Sequence, residues 1–123
     1  MPLETKLYNA LSGSTSFTAY PIFTGGALRL PATVYNVVSK RTIRGFSPMN
    51  GMVLENARVQ FDMYATALDS QRASTEELLT LLDAATGFTA VHQESPEDDY
   101  DDETGVYRRM MDVSIWNQEP HVT

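Results

Sequence analysis

Four apolar side chains, Ala57, Val59, Phe61 and Met63, alternate strictly with Arg58, Gln60, Asp62 and Tyr64. Successive side chains of a strand point to opposite faces, so this run predicts a half-buried strand with one wet face. A sheet that is wet on one side belongs to the antiparallel kind, because parallel sheets are covered on both faces. The period then changes. Leu78, Leu81, Leu82 and Ala85 fall at helical spacing, which predicts the main helix over residues 69–85. Asp69 is a candidate N-cap, with a capping box at Ser74-Thr75-Glu76-Glu77 as the alternative start, and Gly87 follows as the stop.

Weaker signals fill in the remainder. Leu3, Leu7 and Leu11 make a narrow apolar stripe after Pro2, which predicts a short first helix ending at Ser12-Gly13-Ser14. Tyr20, Pro21, Ile22 and Phe23 suit only an edge strand, because proline cannot donate to a central ladder. Gly25-Gly26 reads as a turn. Residues 34–44 read as a strand, with Tyr35, Val37 and Ile43 on one face and Ser39 and Arg41 between them. Residues 45–51 read as a loop containing Pro48 and Asn50. Residues 88–93 and 106–116 predict two more strands, joined as a hairpin through an acidic loop at 94–105. The tail, 117–123, contains Pro120 and is expected to fray. No βαβ unit repeats, so the expected class is α+β: a mostly antiparallel sheet of four to five strands with two helices packed on one face.

The chain has 123 residues, which favours one domain over 1–123 and a core needing no staples. Hydrophobic residues make up 42% and charged residues 20%, enough to exclude disorder of the whole chain. The absence of cysteine excludes disulfides, thiolate metal sites and cysteine nucleophiles. No apolar run nears the ~20 residues that cross a bilayer. The start, Met1-Pro2-Leu3-Glu4, lacks the basic and apolar regions of a signal peptide, so synthesis in the cytoplasm without export is expected.

The net charge is −7, and it is local. Glu94, Glu97, Asp98, Asp99, Asp101, Asp102 and Glu103 supply seven of the sixteen acids; the remaining nine equal the nine Lys and Arg. A phosphate-binding surface needs basic residues that displace counterions, so a nucleic-acid grip is disfavoured. Asp99, Asp101 and Glu103 have the opening spacing of a calcium loop, but the glycine falls at position seven rather than six, and the motif fails. No metal or cofactor is expected. His92 and His121 have no catalytic partners in view, and phosphate-binding, zinc-protease and nucleophile-elbow motifs are absent, so no catalytic residue is assigned and an enzyme is the least favoured class.

Two charged groups remain as candidates. Lys40, Arg41 and Arg44 make the far end of one strand basic, and Glu97, Asp98, Asp99, Asp101 and Asp102 lie in the acidic stretch. Such groups are most often solvated faces. On one small domain they could also meet head to tail between copies, as a subunit interface closing a ring. A small acidic binding module, such as a DNA mimic, competes with this, but mimicry needs carboxylates spread along a surface rather than bunched in one loop. Tyr35, Tyr64, Tyr107 and Trp116 read as sheet packing or interface aromatics alike.

Leu30-Pro31 before Val34-Tyr35 resembles the approach to the second strand in a family of small phage proteins. Residues 57–65, followed by the helix at 69–85, resemble its central strand and helix. The run Asp102-Glu103-Thr104-Gly105-Val106-Tyr107-Arg108-Arg109, continuing to Asp112-Val113-Ser114-Ile115-Trp116, resembles its last hairpin. The family is the tail-completion, or tail-terminator, proteins of long-tailed bacteriophages and prophages. The resemblance implies a non-enzymatic, cofactor-free virion protein forming a ring, typically a hexamer, at the head-proximal end of the tail tube. That ring would end tube growth, meet the tail tube protein on one side and a head-side connector or stopper protein on the other, and let genomic DNA pass through its lumen without sequence-specific binding. A head-side neck ring is the alternative.

Overall fold

The computed structural model describes residues 3–21, 29–43, 52–92 and 96–120. In chain order the elements are α1 (Leu3–Leu11), β1 (Thr18–Tyr20), β2 (Ala32–Ile43), β3 (Met52–Ala65), α2 (Leu68–Ala84), β4 (Phe88–His92), β5 (Glu97–Asp101) and β6 (Val106–Pro120). All six strands form one sheet in the order β1-β2-β3-β6-β4, with β5 also on β6. β1 runs parallel to β2, and every other pairing is antiparallel. The fold is therefore α+β, with a mixed, mostly antiparallel sheet.

β3 and β6 form the spine. Their register runs without a break from Leu54↔Gln118 to Ala65↔Tyr107. The alternation of β3 decides which face is dry: Ala57, Val59, Phe61, Met63 and Ala65 are buried. Opposite them on β6, Met111, Val113 and Ile115 are buried too. Both helices cover this face. Leu3, Leu7 and Leu11 of α1 and Leu78 and Leu82 of α2 close the same core. Phe61 is 0% exposed and stands 6.2 Å from the Tyr35 ring. Lys6 of α1 donates to the Gly87 carbonyl at 3.0 Å and to Asn117 Oδ1 at 2.5 Å, tying the helix to the turn before β4 and to β6.

The sequence expectations hold for the two helices, for the apolar face of β3 and for the pairing of residues 88–92 with β6. Four expectations are corrected. The acidic segment is not all loop, because Glu97–Asp101 forms β5 on β6 and leaves only residues 102–105 as the turn. Gly105 closes that turn with φ +70°, a conformation glycine adopts without steric cost. The tail does not fray from Asn117, because β6 continues to Pro120 and Asn117 is fully buried. Alternation along β2 does not reach Ile43 unbroken: the register shifts between Val37 and Ser39, so Lys40 rather than Ser39 lies opposite Ala57. A bulged residue inverts the faces of everything beyond it. Finally, α2 starts one residue early, after Ala67, with no side-chain cap; Asp69 sits in its first turn instead. Ile22, Phe23, Gly25-Gly26, Arg44 and the loop at 45–51 lie outside the described residues.

Candidate assembly surface

Both charged groups stand at sheet edges. β1 covers the outer edge of β2 only at residues 32–34. The outer edge at 35–43, which carries Lys40 and Arg41, pairs with nothing among the described residues. On the opposite margin, β5 is bonded on one side only, and all five of its residues are exposed. Asp102 lies in the exposed turn.

The register fixes the relative height of the two groups. Lys40 is level with Ala57, Ile115 and Ala90, whereas Asp99 is level with Arg108, Tyr64 and Ala32. They occupy diagonally opposite corners of the sheet, on opposite margins. No single chain can bring them together.

The bulge in β2 divides the charges by face. Lys40 projects to the helix side and forms an ion pair with Glu4 of α1. The hydrogen bond from Lys40 holds the Glu4 carboxyl below its ordinary value, against the opposing effect of burial. Asp98 also lies on the helix side. Its Oδ1 and Oδ2 accept from Arg109 Nε at 2.6 Å and Nη2 at 3.0 Å. That bond holds Asp98 below the usual carboxylate range and pushes Arg109 up. Arg109 Nη1 also donates to Thr75 Oγ1 of α2 at 3.5 Å, so one guanidinium joins β5, β6 and α2. Lys40 and Asp98 are thus neutralised within the chain.

The helix-free face differs. Arg41 is level with Asn56 and Trp116 on that face, and Glu97, Asp99 and Asp101 are level with Met110, Arg108 and Val106. Arg41, Glu97, Asp99 and Asp101 make no ion pair among the described residues. Between them, toward the middle of the same face, Arg58 pairs with Asp112, and Arg108 reaches Asp62 at 3.3 Å while lying 5.7 Å over the Tyr64 ring. Burial pushes the Tyr64 phenol up, and the nearby Arg108 partly offsets it. Among the described residues of the helix-free strand face, the charges without an ion pair therefore sit at the two margins, positive at one and negative at the other.

Arg109 is an anchoring residue to which the sequence alone assigned no role. A signal for it exists. Folding the hairpin about residues 102–105 pairs Asp98 with Arg109 and Asp99 with Arg108. Among the described residues no three His, Asp or Glu side chains converge to hold a metal ion, and no helix is long and apolar enough to cross a membrane.

No family model and no curated protein sequence matches the chain. Its fold is similar to that of a chain in the virion of a native gene transfer agent particle, with a TM-score of 0.54, 95% of each chain covered and 11% identity. At that identity the likeness is one of fold.

Proposed function

We propose that this chain is a structural protein of a phage-like particle, the subunit of a ring that caps the head-proximal end of a tail tube. The observation that carries the reading is the fold shared over 95% of both chains with a component of a gene transfer agent virion. The order of strand, helix and final hairpin, which resembles that of tail-terminator proteins, supports the terminator role within that class. The margins of the sheet support the ring itself. One open edge carries Arg41 and the other carries Glu97, Asp99 and Asp101, so the complementary surfaces of one chain are different patches. Contacts between different patches are heterologous, and they close into rings when the rotation per copy allows it. The ring would end tube growth, offer its other side to a connector or stopper protein of the head, and let DNA pass. The acidic margin and the small number of basic residues suit passage without grip.

The test is localisation together with stoichiometry. Mass spectrometry of purified particles is expected to find the chain at about six copies, and labelling is expected to place it at the head-proximal tail end. Native mass spectrometry at low and moderate salt should show a closed six-subunit species. Absence from particles would sink the reading. Label retained on tailless heads would move the protein to the neck instead.

A further inference from the structure

We infer that copies join edge to edge, with β5 of one chain adding as an antiparallel strand to the outer edge of β2 in the next, at residues 35–43. The inference rests on the ring reading and specifies its contact. Four observations lead to it. Both edges are unpaired among the described residues. Strand direction also fits: across the sheet β2, β3, β6 and β5 alternate, so β2 of a following copy continues the alternation beside β5. A ring rotation preserves faces, which brings Glu97, Asp99 and Asp101 of one copy and Arg41 of the next onto the same helix-free side. Finally, β1 already fills the edge at residues 32–34, the height at which β5 stands, so β5 can enter only higher up.

That last point sets the geometry. Level with Asp99 on β3 is Tyr64, and level with Ser39 and Arg41 are Arg58 and Asn56, six and eight residues away. At ~3.3 Å per residue each copy is displaced along the strands by about 20–26 Å, while four strands are about 19 Å wide. The strands then tilt from the ring axis by roughly 45–55°, just steeper than the ~35–45° common in closed sheets. Closing the ring would also remove both open edges, which are otherwise a hazard for uncontrolled pairing.

The chain contains no cysteine, so introduced thiols report this contact alone. Ser39 and Asp99 are exposed and share the helix-free face. Oxidised Ser39→Cys/Asp99→Cys protein is expected to give a ladder of covalent oligomers ending at the closed ring. A mixture of the two single variants is expected to give mixed dimers only. With Ser39 opposite Asp99, Arg41 faces Glu97; Arg41→Glu is expected to lower the ring population about tenfold or more, and adding Glu97→Arg to restore it. Rings by native mass spectrometry that give no ladder and ignore Arg41→Glu overturn the edge contact and leave the ring standing. Dimers of Ser39→Cys with itself make the contact symmetric and overturn it. Cross-links from Asp99→Cys to another particle protein assign the edge to that protein and overturn it. A chain that forms no ring in solution and none in particles removes the ring reading, and the contact with it.

Discussion

Glu77 of α2 accepts both the backbone N–H of Thr15 at 2.7 Å and its hydroxyl at 2.8 Å, across 62 residues of sequence. Ser16 repeats the pattern, donating its N–H at 2.9 Å and its hydroxyl at 3.3 Å to the same carboxylate. One side chain therefore anchors the turn that carries the chain from α1 into β1. Glu77→Ala is expected to lower stability by about 1–2 kcal/mol, since the turn's N–H groups lose their acceptor but can reach water. Thr15→Val removes only one of the four bonds and should cost less. Urea unfolding of both single variants and the double variant checks this, with the double mutant no worse than Glu77→Ala.

The same carboxylate shapes the response to acid. Burial raises the Glu77 pKa, but the bonds from Ser16 and Thr15 outweigh it and leave the group below its ordinary value. Glu4 and Asp98 are lowered as well, by Lys40 and Arg109. A carboxyl with a depressed folded pKa stabilises above its unfolded value, and that contribution is lost as pH falls through the folded one. Stability should thus be flat in these groups from pH 7 to about 5 and fall below about pH 4.5. Glu77→Gln should make the acid limb of a stability-against-pH curve shallower. An unchanged limb would count against the network.

Arg109 ties the edge strand β5 to the body of the domain. Asp98→Asn weakens a pair whose carboxylate side is more than half exposed, so the expected global cost is small, about 0.5–1 kcal/mol. Arg109→Ala also removes the reach to Thr75 and should cost more. The sharper expectation is local. Hydrogen exchange at residues 97–101 should speed up in Arg109→Ala by more than exchange in the paired core of β3 and β6, which rises only as far as the global loss of stability requires.

Tyr35 and Phe61 separate packing from hydrogen bonding in the core. Phe61→Ala empties a fully buried site and is expected to cost about 3–5 kcal/mol. The Tyr35 hydroxyl is buried with no hydrogen-bond partner among the described residues, and burial pushes its pKa up. Tyr35→Phe removes that unsatisfied group while keeping the ring beside Phe61. It should leave stability equal or higher by up to about 1 kcal/mol in thermal unfolding.

Legibility of the sequence followed the range of the forces involved. Periodicity alone marked the apolar faces of α1, α2 and β3, because side-chain direction repeats every 3.6 or 2 residues whatever the chain packs against. Residues 88–92 and β6 were legible as antiparallel partners for another reason: no helix lies between them to carry a parallel crossover. β5 was hidden because consecutive acids have no strand propensity of their own; pairing with β6 and the Arg109 bond hold them extended. The bulge at Val37 and Ser39 was hidden too, because no local signal announces an inserted residue.

The charged candidates show the division most clearly. Sequence alone determined that Lys40, Arg41 and the acidic run exist, that they are opposite in sign and that they account for the net charge. Only the tertiary structure decided which of them are spent inside the chain. Lys40 and Asp98 are neutralised by Glu4 and Arg109 on the helix face, while Arg41, Glu97, Asp99 and Asp101 are left at opposite margins of the other face. The physical reason is that a charge is compensated by its neighbours in space, and strand register with one bulge, rather than distance along the chain, sets which neighbours those are.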